Sequence, residues 1–224
     1  MKSLGIIGGV GPGSTAEFYL QILKRVHQHY ISERPRILID SIPLPIAVEH
    51  ELLLSGKTEP YIPFLEESAM QLEEAGVDII LLASNTLHIH EERVRKVLRS
   101  AEFVSLREAV PLFLREKNIK RVGILGTGTA ISDIYRDSLR SHGIEEVAPS
   151  EFLQDRLNKS IQRVVTDQWD LQDRSTAHAV IAHMEANGVD AILLACTDLR
   201  LLDLHSSLQT FDTVDILADV TLTA

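Results

Sequence analysis

One nine-residue segment occurs twice in this chain, and the duplication restricts the folds available to it. Residues 76–84 read Gly-Val-Asp-Ile-Ile-Leu-Leu-Ala-Ser and residues 188–196 read Gly-Val-Asp-Ala-Ile-Leu-Leu-Ala-Cys, so seven of nine positions are identical. Each copy has a short apolar run, typical of a buried strand in a parallel sheet. If the duplicated lobes face each other, Ser84 and Cys196 lie on opposite walls of one cleft, a geometry suited to chemistry on both faces of one carbon.

Composition limits the classes of protein that this chain can represent. With 224 residues, 45% hydrophobic and 24% charged, it has the make-up of a globular protein of one large or two small domains. The net charge of −10 disfavours nucleic acid and anionic membranes as partners, although a local pocket can still take a small anion. A single cysteine excludes an intrachain disulfide and a cysteine-rich zinc site. No apolar run reaches the roughly 18–20 residues of a membrane span, and the N-terminus lacks a signal-peptide core, so we expect a cytoplasmic protein.

Short apolar runs alternate with longer amphipathic segments, which predicts an α/β fold with parallel sheets. Because the pattern restarts near residue 121, we expect two similar α/β lobes packed closely, with a cleft between them. The first lobe is predicted over residues 1–105 and the second over residues 106–207. A C-terminal helix at about residues 208–224 is predicted to pack back on the first lobe.

The same patterns predict individual elements. Strands are predicted at residues 4–7, 36–39, 77–82, 103–106, 121–126 and 189–194. Helices are predicted at residues 14–30, 60–74, 90–99, 132–141, 153–165, 171–186 and 213–222. The first helix is expected to begin with a capping box from Ser14 to Glu17, and Gly143 suits a helix C-terminus.

A glycine-rich loop, Gly8-Gly9-Val10-Gly11-Pro12-Gly13, joins the first predicted strand to the first predicted helix. Backbone N–H groups at such a helix start, those of Val10 and Gly11 included, can hold a small carboxylate. The spacing does not fit the dinucleotide fingerprint well and there is no P-loop lysine. Asp40 nevertheless lies where a ribose-binding acid can sit, so a nicotinamide cofactor stays an alternative. The plainer interpretation is that the glycines only permit a tight turn.

Cys196 ends the second copy of the repeat. A free cysteine alone is more often a buried structural residue than a reactive one. At a strand end that faces the start of the next helix, however, amide dipoles can stabilise its thiolate, so an activated Cys196 can be a thiolate near neutral pH. Thr197 can donate a hydrogen bond there, and Asp198 can influence protonation or substrate binding.

Ser84 ends the first copy and is followed by Asn85, Thr86 and His88. One interpretation is a polar strand end that caps a helix. The other is that Asn85 and Thr86 hold a substrate carboxylate while Ser84 faces the reacting carbon. His88 is either a buried polar residue with satisfied bonds or a functional contact. The segment is not the Gly-x-Ser-x-Gly elbow of hydrolases.

Taken together, three motifs resemble the aspartate/glutamate racemase family. They are the loop from Gly8 to Thr15, the segment Ser84-Asn85-Thr86-Leu87-His88 and the segment Cys196-Thr197-Asp198, compared with Gly-Gly-Met-Gly-Pro-x-Ala-Thr, Cys-Asn-Thr-x-His and Cys-Thr-Glu in the family. The likeness covers essentially the whole chain in the same order. It implies two Rossmann-like lobes with parallel sheets, related by a pseudo-twofold with the active-site cleft between them, a homodimer and an amino-acid substrate.

The resemblance also implies cofactor-independent racemisation without a metal, in which one thiol removes the α-proton and a second returns one to the opposite face. Cys196 then matches the second cysteine and Ser84 the position of the first. Residues matched to substrate carboxylates are Asn85, Thr86 and Thr197. Thr127 and Thr129, in the corresponding loop of the second lobe, are expected to supplement the backbone donors of both glycine-rich loops.

Several departures from the family leave alternatives open. Ser84 replaces a thiol, which predicts a reaction that favours the L-substrate, with Cys196 as the base and Ser84 returning the proton through water or His88. Residues 43–48 lack an arginine that several aspartate racemases have there, and no lysine lies near Thr166, which leaves room for another carboxylate substrate. The alternatives are a single-thiol decarboxylase or isomerase of a small dicarboxylate, and a non-catalytic protein that binds a small anion.

Overall fold

A computed structural model describes residues 2–28, 33–45, 48, 57–128 and 130–223 of the chain. They form two compact units, Met1–Leu106 with Leu217–Ala224, and Arg107–Ile216. Each unit contains a four-stranded, fully parallel sheet with helices around it. The predicted α/β class and the presence of two similar parallel sheets are therefore confirmed. No helix in these ranges is long and apolar enough to cross a membrane.

The first sheet has the strand order β2-β1-β3-β4. Its strands are β1 (Leu4–Gly8), β2 (Ile37–Ser41), β3 (Ile79–Leu82) and β4 (Glu102–Phe103). The helices between them are α1 (Pro12–Gln28), α2 (Ile62–Glu74) and α3 (Glu91–Val97), with 3₁₀ turns at Glu59–Tyr61 and Thr86–His90.

The second sheet has the strand order β6-β5-β7-β8, which is the order of the first sheet repeated. Its strands are β5 (Arg121–Gly126), β6 (Glu145–Val147), β7 (Ala191–Ala195) and β8 (Gln209–Asp212). The α-helices of this half are α4 (Leu106–Glu116), α5 (Arg136–Ser141), α6 (Glu151–Val165) and α7 (Leu171–Ala186), and α8 (Thr213–Thr223) follows β8. A π-helical turn spans Ala130–Tyr135 and a 3₁₀ helix spans Thr197–Leu202.

This strand order places the carboxyl ends of β1 and β3 next to each other, and those of β5 and β7 likewise. From β1 the chain passes to β2 on one side, and from β2 it crosses back to β3 on the other, so the connections diverge between β1 and β3. Open parallel sheets bind their ligands at such switch points. Each unit therefore offers one ligand-binding position, defined by its two central strands.

The duplicated segment forms the same local structure in both units. Gly76 and Gly188 follow α2 and α7 with φ angles of 79° and 73°, a left-handed conformation that favours glycine where a helix ends. Val77 and Val189 are buried, and the apolar residues after them form β3 and β7. The repeat thus encodes a helix end and a central strand.

The aspartate of each repeat fixes the start of the neighbouring strand. The Asp78 carboxylate accepts hydrogen bonds from the Ser3 backbone N–H at 2.6 Å and from the Ser3 hydroxyl at 2.7 Å. The Asp190 carboxylate accepts the backbone N–H groups of Lys120 and Arg121 at 2.9 and 2.8 Å. These bonds lower the pKa of both aspartates, so the carboxylates stay charged and hold β1 beside β3 and β5 beside β7.

Several boundaries differ from the sequence-based predictions. Helix α1 begins at Pro12, so Ser14 lies inside the helix and the predicted capping box is wrong; proline suits the first helical position because it lacks only an N–H that has no intrahelical partner there. Residues 103–106 are not a strand, because β4 ends at Phe103 and Leu106 begins α4. The last helix begins at Thr213, as the predicted helix at 213–222 does, and not near residue 208, since the preceding residues form β8. Gly143, with a φ angle of 73°, follows α5 as expected.

Glu73, near the end of α2, holds the connection between α3 and β4. Its carboxylate accepts the backbone N–H groups of Arg99, Ser100 and Ala101 at 2.8–3.0 Å. These bonds lower the pKa of Glu73 to about 2. A carboxyl group with a depressed pKa in the folded state stabilises the fold above its unfolded pKa, and this contribution is lost as the pH falls.

We expect Glu73→Ala to lower the free energy of unfolding by about 1–2 kcal/mol near pH 7, the net value of one charged hydrogen-bonding group in a half-exposed position. The difference from the unchanged protein should shrink as the pH falls from about 5 to about 2, because the unfolded chain binds a proton at Glu73 in this range while the native carboxylate stays charged until the pH nears 2. Urea denaturation followed by circular dichroism measures both effects. Glu74→Ala, which removes the neighbouring exposed carboxylate, is the matched control; an equal loss of stability in the two variants would contradict this role of Glu73.

Candidate active site

The residues singled out from the sequence lie after the two central strands of each sheet. In the first unit, Val10 and Gly11 follow β1, and Ser84, Asn85 and Thr86 follow β3. In the second unit, Thr127 follows β5 and Cys196, Thr197 and Asp198 follow β7. Both groups therefore lie at the switch point of their own sheet, the position at which parallel sheets bind ligands.

The glycine-rich loop after β1 is held by Thr15. The Thr15 hydroxyl accepts the Gly9 N–H at 3.0 Å and donates to the Gly11 carbonyl at 3.1 Å. Gly9 has a φ angle of 91°, and a Cβ atom there would approach the Ile42 backbone to 2.7 Å. These contacts fix the loop at the start of α1, where helix N–H groups favour an anion. Sequence reasoning placed Thr15 in a capping box and missed this role.

Ser84 lies two residues beyond β3, close to the end of β1. The Ala83 N–H donates to the Ile7 carbonyl at 2.9 Å and so continues the pairing past the strand. Ser84 is 8% exposed, and its hydroxyl is 3.5 Å from the Leu87 N–H, a long contact at the start of the 3₁₀ turn. Asn85 is buried, whereas Thr86 is half-buried. Ser84 therefore combines a weak capping contact with a position at the switch point.

His88 is fully buried beside Ser84 but contacts its backbone. The His88 Nδ1 atom lies 2.6 Å from the Ser84 carbonyl oxygen. Because a carbonyl can only accept, Nδ1 carries the hydrogen in this bond. The His88 ring also packs against Phe103, with ring centroids 5.8 Å apart. His88 thus orients the segment that carries Ser84.

In the second unit, Thr127 begins the connection after β5. Its hydroxyl accepts the Ala130 N–H at 3.2 Å and its carbonyl accepts the Ile131 N–H at 3.1 Å. Strand pairing joins Gly126 to Ala195, so Thr127 and Cys196 each lie one residue beyond a paired position. Thr129, also predicted to contribute, lies outside the described residues.

Cys196 is buried, with 9% of its surface exposed, and belongs to an apolar cluster of the second unit. Burial raises the pKa of its thiol to about 12, and the negative charges of Asp198 and Asp212 act in the same direction. Hydrogen bonds from the backbone N–H groups of Asp198 and Leu199 favour the thiolate but are outweighed. Desolvation and two carboxylates thus oppose the helix-terminal amides that would favour a thiolate near neutral pH.

The size of this effect restricts the chemistry. With its pKa raised so far by burial and by two carboxylates, the thiol is protonated near neutral pH. Without a bound substrate, Cys196 is therefore a neutral proton donor. It can act as a base only if a ligand brings positive charge to the thiol or moves the carboxylates away from it.

Asp212, whose charge acts on the thiol, and its partner Arg200 were not predicted from the sequence. Asp212 ends β8 and is 8% exposed, and Arg200 lies in the 3₁₀ helix that follows Cys196. The Arg200 Nε atom lies 3.3 Å from Asp212 Oδ2. Asp212 is sixteen positions from Cys196, at the end of a strand that the sequence patterns did not reveal, so only the fold brings it close.

The site offers no evident metal ligands within the described ranges, since no three histidine, cysteine or acidic side chains there are grouped to hold an ion. What the loops supply instead are backbone N–H groups, hydroxyls and one thiol. Such groups bind carboxylates and transfer protons.

Comparison with known proteins identifies the group to which this arrangement belongs. The family model for Asp/Glu/hydantoin racemases matches residues 7–221, and the chain belongs to this family. It is 27% identical to the broad specificity amino-acid racemase RacX of Bacillus subtilis, over 98% of this chain and 96% of the relative.

Solved structures show the same fold. The aspartate racemase of Picrophilus torridus superposes with a TM-score of 0.80 at 28% identity, over 100% of this chain and 94% of the other. An aspartate racemase homologue from Pyrococcus horikoshii gives a TM-score of 0.81 at 26% identity, over 100% and 98% of the two chains.

The acidity of Cys196 can be measured directly because it is the only cysteine. We expect the rate of alkylation by iodoacetamide to rise about tenfold per pH unit in the native protein, without a plateau up to about pH 10. The same chain in urea should level off around a midpoint of about 8.5. A native midpoint at or below that of the unfolded chain would contradict the resting neutral thiol.

Proposed function

We propose that this protein is a cofactor-independent amino-acid racemase, acting on aspartate or glutamate, in which Cys196 and Ser84 act on opposite faces of the α-carbon. The observation that carries the proposal is that the two residues follow equivalent strands, β3 and β7, at the switch point of two sheets with the same strand order. Membership of the family and the racemase relatives support it.

The proposed carboxylate contacts come from the loops described above. Val10 and Gly11 supply backbone N–H groups at the start of α1, and Asn85 and Thr86 supply side-chain donors. Thr127 and Thr197 add hydroxyls in the second unit. Such donors also stabilise the carbanion, whose charge spreads onto the carboxylate once the α-proton has left, so no pyridoxal phosphate or metal is required.

The substrate ammonium group would lower the high pKa of Cys196. Asp198 raises that pKa through its charge, and an ammonium bound to Asp198 would neutralise this charge and add a positive one near the thiol. We therefore assign Asp198 to the ammonium. Binding of an amino acid then itself favours the thiolate that removes the α-proton of the L-substrate. A dicarboxylate without an amine lacks this effect.

Ser84 makes the two faces unequal. A serine hydroxyl is a far weaker acid than a thiol, so we propose that it returns the proton to the carbanion slowly, by way of water or His88. Because enantiomers have equal free energies, kcat/KM must be the same in both directions. The asymmetry appears instead in the exchange of the α-proton with solvent. Cys196 should remove and return a proton on the L-face more often than the reaction proceeds to the D-product.

One observation favours a second candidate. A neutral, buried thiol is well suited to protonating an enediolate, as a single-thiol decarboxylase or isomerase of a small dicarboxylate requires. A protein that binds a small anion without catalysis would use the same backbone donors. Deuterium incorporation, carbon dioxide release and binding without turnover distinguish the racemase, the decarboxylase and the non-catalytic protein.

The test is deuterium incorporation from D₂O into enantiopure aspartate, glutamate and other amino acids, followed by NMR and chiral chromatography. We expect deuterium to enter the L-substrate faster than the D-product forms. Ser84→Ala should lose racemisation by more than about tenfold while L-face exchange persists, and Cys196→Ala should lose both, because only the thiol starts the reaction.

Absence of deuterium in every amino acid would overturn the racemase proposal. Release of carbon dioxide from a malonate, dependent on Cys196, would instead support the decarboxylase. Binding without exchange or turnover would support the non-catalytic protein.

We further propose a homodimer in the cytoplasm, on the strength of the family resemblance. Analytical ultracentrifugation tests the first statement; a mass of one chain at micromolar concentration would contradict it.

A further inference from the structure

Arg200 follows the candidate catalytic thiol by four residues and pairs with two aspartates. It belongs to the 3₁₀ helix Thr197–Leu202, which begins directly after Cys196. Its guanidinium lies 3.3 Å from Asp212 and 3.2 Å from Asp215, at the end of β8 and the start of α8. The Arg200 side chain is 25% exposed, so these pairs are partly shielded from water.

Asp212 is fixed beside the strand that carries Cys196. It pairs in register with Leu194 of β7, two residues before the thiol. Its Oδ1 atom accepts the Val214 N–H at 2.8 Å, while Oδ2 faces Arg200. The next residue, Thr213, donates from its hydroxyl to the Leu194 carbonyl at 3.1 Å. Asp212 therefore cannot move away from β7 without breaking these bonds.

The charged groups that act on Cys196 come from two elements. Asp198 belongs to the 3₁₀ helix and Asp212 to β8, and both disfavour the thiolate. The buried members of the cluster around Cys196 from α6 and α7 are apolar. They are Leu157, Ile161, Val164, Ala177, Val180, Ile181 and Met184. Asp212 thus carries one of the two negative charges that act on the Cys196 thiol, and Arg200 is its counterion.

We propose that Arg200 is a positioning residue for Cys196. The Arg200 guanidinium binds and neutralises the Asp212 carboxylate, and it so fixes the charge that the thiol meets from β8. The role of Cys196 as a catalytic base rests on the proposed function, but the effect of Arg200 on the thiol does not. A buried carboxylate that loses its counterion leaves an uncompensated negative charge, which penalises a second negative charge nearby.

Alkylation of the single cysteine by iodoacetamide at pH 8.5 measures this effect without any turnover. We expect Arg200→Ala to slow the reaction about tenfold, because a rise of about one unit in the pKa lowers the thiolate fraction by that factor. Asp212→Asn should speed the reaction about tenfold and still cap Val214. The double variant should react at or above the rate of the unchanged protein, and Arg200→Lys should stay close to it.

The direction of the change separates this proposal from simple loss of structure. A loosened fold exposes Cys196 and makes alkylation faster, whereas the proposal requires Arg200→Ala to make it slower. Arg163→Ala is the matched control. Arg163 lies in α6 and likewise bridges two aspartates of the same unit, Asp170 and Asp173, at the start of α7. This variant should leave the alkylation rate unchanged. An Arg200→Ala rate equal to or above that of the unchanged protein would overturn the proposal.

Deuterium exchange adds the catalytic readout. If Cys196 is the base, the pH profile for exchange into the L-substrate should shift to higher pH by about one unit in Arg200→Ala and return in Arg200→Lys. A changed alkylation rate in a protein that exchanges no amino acid would count against the proposed function alone. Normal exchange with unchanged alkylation in Arg200→Ala would count against Arg200 alone.

Discussion

Hydrogen bonds from backbone N–H groups to two exposed carboxylates tie together the starts of the central strands in each sheet. Asp78 binds the start of β1 and Asp190 binds the start of β5, each from the beginning of the neighbouring central strand. Because parallel strands that start together also end together, these two aspartates determine which loops meet at each switch point. The glycine-rich loop thus comes beside Ser84, and Thr127 comes beside Cys196. Loss of this register would displace the candidate site without touching any of its residues.

Much of this arrangement was predictable because it is local. The apolar run of each repeat predicted a buried central strand, whereas the anchoring of its aspartate depends on contacts with residues about 70 positions away. Strands β6 and β8 were missed because they are short, edge-forming and polar, with Glu145 and Gln209 among their residues. Helix α4 contains Pro111, which breaks the usual helix pattern. The role of Thr15 and the presence of Asp212 near Cys196 depend on three-dimensional contacts that no local spacing reveals.

The chemistry of the site is governed by a conflict between burial and charge. The amides at the start of the 3₁₀ helix favour a thiolate, but desolvation and two aspartates favour the thiol, and the latter win in the ligand-free protein. A base that forms only when an ammonium group arrives has a selective advantage, since it stays protonated and unreactive otherwise. Arg200 adjusts the balance by holding one of the two aspartates.

The central claim is that the hydroxyl of Ser84 and the thiol of Cys196 serve the same α-carbon. Replacing the weaker group by a second thiol, Ser84→Cys, tests it most directly, with the ratio of inversion to L-face deuterium exchange as the measurement. A second thiol on the opposite face should raise this ratio by about tenfold or more and allow deuterium to enter the D-enantiomer before inversion, because a thiol is several pKa units more acidic than an alcohol. An unchanged ratio in a folded Ser84→Cys protein with intact L-face exchange would show that position 84 takes no part in the proton transfer.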